Sequence, residues 1–82
     1  MFDFDEFAKE HPEAVKGREN YYRLQELSSK ILEKYQDNDL AWRMENTAVR
    51  IALRKCGRSP KDYPDEEVYG VAIQELKRMM EA

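Results

Sequence analysis

Apolar and polar residues alternate along most of this chain with a helical rhythm rather than a strand-like one. At about 100° per residue, Tyr21, Leu24, Leu27, Ile31, Leu32 and Tyr35 fall within a single arc, with Gly17 and Ser28 on the same side. The spacing predicts an amphipathic helix that opens at Pro12, where proline suits a first turn, and runs to the polar turn Gln36-Asp37-Asn38-Asp39. The small residues in that arc predict close approach of a neighbouring helix, with some weakening around Gly17.

A third helix over residues 40–56 carries Ala41, Trp42, Met44, Ala48, Val49, Ile51, Ala52 and Leu53 around more than half its circumference, the pattern of a central helix with Trp42 in its core. Either Asp37 or Asp39 suits its N-cap and Gly57 its C-terminal cap, where Arg54, Lys55 and Arg58 complement the helix dipole. Ser59-Pro60 and Tyr63-Pro64 demand a loop. Pro64 or Asp65 then opens a fourth helix with an acidic first turn. One of its faces is Val68, Tyr69, Ala72, Ile73, Leu76, Met79 and Met80. Ahead of all three, Asp3 caps a short helix through Phe4, Phe7 and Ala8, which His11-Pro12 interrupts. The fold class expected is all-α, a small bundle of three main helices plus a short N-terminal helix or arm. The stretch ILEKYQDNDLAWRM resembles the join between successive tetratricopeptide repeats over fewer than twenty residues. It is an analogy of packing, and the likeness ends at CGRSPKDYPDEE, where that family has a tight turn.

Length and charge narrow the classes. With 82 residues, 41% of them apolar and 38% charged, the chain suits one domain over residues 1–82, with residues 1–11 as a flexible or packed arm. No apolar run approaches the roughly 18 residues of a membrane span, and the acidic start is unlike a signal peptide, so no membrane partner and a cytoplasmic location are expected. Cys56 is the only cysteine and His11 the only histidine, which leaves no zinc-site pattern and no disulfide within the chain. No metal and no cofactor are expected. The net charge is −3, unevenly spread: residues 1–40 hold ten acids and six bases, whereas residues 43–61 hold six bases against Glu45 alone.

Two features point to binding. In MFDFDEF, Phe2, Phe4 and Phe7 stand among three acids, the composition of a docking segment for a hydrophobic, basic groove. Alternatively these rings fold back on Val15 and Tyr22, which lie opposite the main stripe of the second helix. On the third helix Arg43, Arg50 and Arg54 lie within about 40° of one another, with Asn46 nearby and Arg58 and Lys61 beyond the cap. Such a row pairs with phosphates or with an acidic protein surface, or is simply the solvated side of the helix. Glu45 points into the apolar arc, either as a buried carboxylate of raised pKa or, reaching solvent, as a partner of Lys55 or an arginine. His11 has no catalytic companion, Cys56 suits a small buried hydrophobe, and Glu66 and Glu67 point different ways, so no enzyme activity is expected.

The function expected is a small non-enzymatic protein–protein interaction module, an adaptor, regulator or inhibitor that occludes a partner surface. In size and acidity it is similar to small bacterial and phage inhibitors, anti-defence proteins included, a likeness of type that involves no motif. The expected contact residues are Phe2, Phe4, Phe7, Tyr22, Arg43, Arg50, Arg54 and Arg58, with Tyr21, Tyr22 and Trp42 as possible aromatic anchors. The alternative is a nucleic-acid-binding protein using the basic face of the third helix. A homodimer through an uncovered apolar stripe is a further expectation.

Overall fold

A computed structural model describes residues 2–81, which form five helices and, among the described residues, no strand. They are α1 (Phe4–Glu10), α2 (Pro12–Val15), α3 (Glu19–Tyr35), α4 (Asn38–Lys55) and α5 (Glu66–Glu81). The chain is all-α: α3, α4 and α5 pack against one another as the three main helices, and α1 lies against α3.

Short polar side chains set most of the boundaries. Asp3 and Asp37 each accept a hydrogen bond at 3.1 Å from the backbone N–H three residues on, at Glu6 and Leu40. Asp65 does the same for Val68 at 3.0 Å, so Asp37 rather than Asp39 caps α4, and Asp65 rather than Pro64 caps α5. At the end of α4, Gly57 takes a left-handed φ of +71°. Its N–H donates to Arg54 O, while Arg58 N–H donates to Leu53 O at 2.8 Å, closing the helix with a Schellman turn.

The second helix expected from the sequence is two. The chain leaves the helical path at Lys16 and passes through Gly17 at φ +73° before α3 starts at Glu19. A left-handed residue cannot continue a right-handed helix, and Gly17 is the residue in this stretch for which that conformation carries no Cβ penalty. Gly17 therefore makes a bend, with nothing within 4 Å of where a Cβ would stand. The close approach occurs at Gly70 on α5, where such a Cβ would lie 3.0 Å from Asn20 Nδ2 of α3.

One core unites the long helices: Leu24, Leu27 and Ile31 from α3, Ala41, Ala48, Ala52 and Leu53 from α4, and Val68, Ala72, Ile73 and Leu76 from α5. The alanines let the helix axes approach while leucine and isoleucine fill the space between them. Met44, Val49, Cys56, Tyr69, Met79 and Met80 pack partly buried around it. Trp42 departs from expectation: it is 66% exposed, on the flank of α4 near the α3–α4 turn. Leu32 and Tyr35, in the final turn of α3, are exposed as well.

The N-terminal segment is docked. Phe4 is only 5% exposed, its N–H donates to Glu26 Oε2 at 2.8 Å, and the Arg23 guanidinium lies 4.6 Å from its ring centroid. Val15 is buried too. Truncating a buried phenylalanine to alanine removes its transfer energy and leaves a cavity. Phe4→Ala is therefore expected to lower unfolding free energy by about 3 kcal/mol, read from urea denaturation followed by circular dichroism. An unchanged midpoint would mean the segment contributes nothing to the fold.

Candidate functional site

Two surfaces merit the name, and a contact across the bundle places one of them. α3 lacks a cap of its own, because Arg18 at its N-cap position makes no capping hydrogen bond. A residue 46 positions away in sequence satisfies its first turn instead: Glu66 Oε2 accepts from Asn20 N–H at 2.9 Å, and Oε1 from Tyr21 N–H at 3.3 Å. Asn20 Nδ2 returns a bond to the Glu66 carbonyl at 3.0 Å. A carboxylate at a helix N-terminus is favoured both by the unsatisfied amides and by the helix dipole. The starts of α3 and α5 are thereby held together, at the end of the bundle where α4 finishes.

Between them opens a cleft of about 600 Å³ lined by Gly17, Arg18, Tyr21, Tyr63, Pro64, Asp65, Glu66 and Tyr69. Tyr21 and Tyr69 meet edge to face at 5.3 Å between centroids, a favoured aromatic geometry. The phenol of Tyr69 is pushed up by burial and, secondarily, by the neighbouring Tyr63 and Tyr21. Tyr63, on the loop before α5, is 87% exposed. The row of rings continues to the N-terminal segment: Tyr21 meets Tyr22 at 5.2 Å, Tyr22 meets Phe7 at 5.0 Å, and Phe7 meets Phe2 at 5.3 Å. His11 closes the row at 4.8 Å from Phe7.

The second surface is the outer side of α4. Counting about 100° per residue, Arg43, Arg50 and Arg54 lie opposite the Ala41, Ala48 and Ala52 seam, and all three are exposed. Arg43 forms an i,i+4 pair with Asp39 at 2.9 Å, whereas Arg50 and Arg54 have no ion-pair partner among the described residues. Arg58 belongs to a different arrangement. Its two terminal nitrogens bind Asp65 Oδ2 at 2.9 Å and Glu67 Oε1 at 3.2 Å, which ties the loop over residues 58–65 to the start of α5. The Asp65 carboxyl lies below the usual carboxylate range, held there first by the Val68 N–H and then by Arg58.

The expected site residues thus separate. Arg43, Arg50 and Arg54 share one face; Arg58 is held by α5. Phe2, Phe7 and Tyr22 form a half-buried stack, and Phe4 is withdrawn from the surface by its docking on α3. Glu45 finds neither Lys55 nor an arginine: it accepts from Ser28 Oγ and, at 3.4 Å, from Gln25 Nε2, joining α4 to α3 through neutral donors. Lys55 pairs instead with Glu75 of α5, the one buried charged residue among those described, which Arg78 also approaches at 3.5 Å. The sequence reading missed the cleft. Tyr63-Pro64 registered only as a loop and Tyr69 only as core; the signal was three tyrosines beside segment boundaries that need not be neighbours.

Among the described residues no group of three or more His, Cys, Asp or Glu side chains is placed to hold a metal, and no helix is long and apolar enough to cross a membrane. No protein-family model matches the chain, and no curated protein or solved structure is significantly similar to it.

Two predictions follow from these contacts. Glu66→Ala leaves the first amides of α3 without their acceptor and is expected to cost about 1 kcal/mol, read from urea denaturation, with hydrogen exchange accelerated at Asn20 and Tyr21. Unaltered exchange there would show that the clamp does not hold α3. For Glu75, the hydrogen bond from Lys55 chiefly lowers the carboxyl below its ordinary 4.5, against the opposing effect of burial and with help from the charges of Arg78 and Lys55. Folding thus favours the ionised form. The resulting stability is complete above the unfolded value and is lost as pH falls through the lower folded one. Denaturation at pH 7 and pH 3 should show a smaller acid loss in Glu75→Gln than in the wild type, and an equal loss would remove Glu75 from the acid response.

Proposed function

We propose that this protein is a non-enzymatic protein-binding module that covers an acidic surface of its partner with the outer face of α4. The observation that carries the reading is the exposed arginine row with Trp42 on its flank, since Arg50 and Arg54 have no carboxylate partner among the described residues. Arginine and tryptophan are over-represented among the residues that dominate protein interfaces, because each joins a large contact area to directional hydrogen bonding. From Arg43 to Arg54 the row spans about 16 Å at 1.5 Å per residue, a length suited to a patch on a folded partner. The adaptor, regulator or inhibitor role, including one of anti-defence type, and a cytoplasmic setting belong to this same proposal.

Nucleic acid is the competing ligand for an arginine row. Against it stand the net charge of −3 and the pairing of Arg43 with Asp39, which leaves Arg50 and Arg54 as the cations of the row without a partner among the described residues, few contacts for a phosphate backbone.

Affinity capture with the wild type and with Arg43→Glu/Arg50→Glu/Arg54→Glu, on nuclease-treated extract, tests the reading. The expected result is a protein recovered by the wild type and depleted at least about tenfold by the variant, with both proteins giving the same helical circular dichroism. Recovery of nucleic acid that the variant loses, with binding that falls steeply in salt, would replace the proposal with the nucleic-acid reading.

A further inference from the structure

The tyrosine cleft has a hydrogen-bonding character of its own. Its carboxylates are already engaged: Asp65 receives Val68 N–H and Arg58, and Glu66 receives Asn20 N–H and Tyr21 N–H. Its donors are not. The hydroxyls of Tyr21, Tyr63 and Tyr69 and the guanidinium of Arg18 make no hydrogen bond within the chain among the described residues, although all four residues line the cleft. What remains on offer is a set of aromatic faces with donors at their edges.

A ligand that complements such a cleft brings acceptors to those donors and compact apolar rings to those aromatic faces. A proline-rich segment fits each requirement. Its left-handed extended helix makes no internal hydrogen bonds, so its carbonyls are free to accept, while proline lacks the N–H that would need an acceptor. Its pyrrolidine rings pack flat on aromatic side chains, and the segment is ordered before it binds, which lowers the entropic cost of capture.

We infer that the cleft between the starts of α3 and α5 is a docking site for a proline-rich, polyproline-II segment of a protein partner, with Tyr21, Tyr63 and Tyr69 as the ring surface and Arg18 as a donor to its carbonyls. This rests on the reading of the chain as a protein-binding module and adds a second contact to it. The cleft lies at the end of the bundle where α4 and its arginine row finish, so one partner that presents an acidic patch beside a proline-rich segment engages both.

The probe is a decaproline peptide, titrated into the full chain while the aromatic proton–carbon resonances are followed by NMR. A glycine–serine peptide of the same length serves as the control, and Trp42, near the other end of the bundle, is the internal reference. Saturable shifts are expected at Tyr21, Tyr63 and Tyr69 at roughly millimolar peptide, with none at Trp42 and none from the control. Tyr63→Ala, which removes a ring exposed to solvent and leaves the core intact, is expected to weaken binding at least about fivefold, and Arg18→Gln to weaken it further. The absence of tyrosine shifts, equal shifts from the control peptide, or binding indifferent to Tyr63→Ala overturns the assignment. The triple α4 variant should still bind decaproline. If the peptide fails while that variant still loses its captured protein, the cleft assignment falls and the α4 reading stands.

Discussion

The arrangement of this chain depends on one carboxylate. α3 begins on an arginine that cannot cap it, just after a glycine bend, and a helix start with four unsatisfied amides is a weak point. Glu66 supplies the missing acceptor from the first turn of α5. Because the bond joins two helix starts, it fastens α3 and α5 side by side in the same direction, with α4 running back against both. It also brings Tyr21 to Tyr69 and thereby closes one wall of the cleft. The local weakness at the start of α3 and the surface beside it have the same origin.

Along the bundle the contacts change in kind. At the starts of α3 and α5 the helices are tied by directional hydrogen bonds. In the middle they are held by alanine against leucine and valine, where Leu24, Ile31, Val68 and Leu76 are fully buried. Toward the α3–α4 turn the apolar stripe outlasts its partners. Leu32 and Tyr35 fall in the same arc as Ile31 yet stand exposed. The bundle therefore has a dry centre and two aromatic ends, one built into a cleft and one left open around Trp42.

What could be read from the sequence divides along the same line. The three main helices, the Gly57 turn and most of the core follow from period and from capping chemistry, which act over a few residues, whereas the N-terminal segment was open to a free and to a docked reading. The bend at Gly17 was visible only as a weak spot, since a glycine in an apolar arc is compatible with a helix until the chain's direction is known. Trp42 shows a limit of another sort: periodicity assigns a residue to a side of its helix but not to a depth along the axis, and depth decides whether a neighbour is there to cover it. Glu45 met Ser28 and Gln25, and Lys55 met Glu75, because partners on other helices are chosen by the crossing geometry. The cleft needed Tyr21, Tyr63 and Tyr69 together, and contacts distant in sequence put them there: Glu66 on the start of α3 and the core shared by α3 and α5, with Arg58 tying the loop of Tyr63 to α5.

Charge placement gives the two surfaces a common logic. The acids over residues 58–67 are largely consumed internally: Asp62 caps the turn at Ser59, Asp65 caps α5 and binds Arg58, Glu66 caps α3, and Glu67 takes the other arm of Arg58. Engaged in this way they rigidify the loop that carries Tyr63 and keep its carboxylates turned to the protein's own amides and guanidinium. On α4 the reverse holds, since the helix interior supplies no carboxylate opposite Arg50 and Arg54 and their stems lie on an outward face with charge to spare. On the proposed reading, a partner that approaches along α4 meets uncompensated cations before the compensated cleft, so that long-range attraction would orient the encounter and the short-range fit of rings and hydrogen bonds would decide whether it persists.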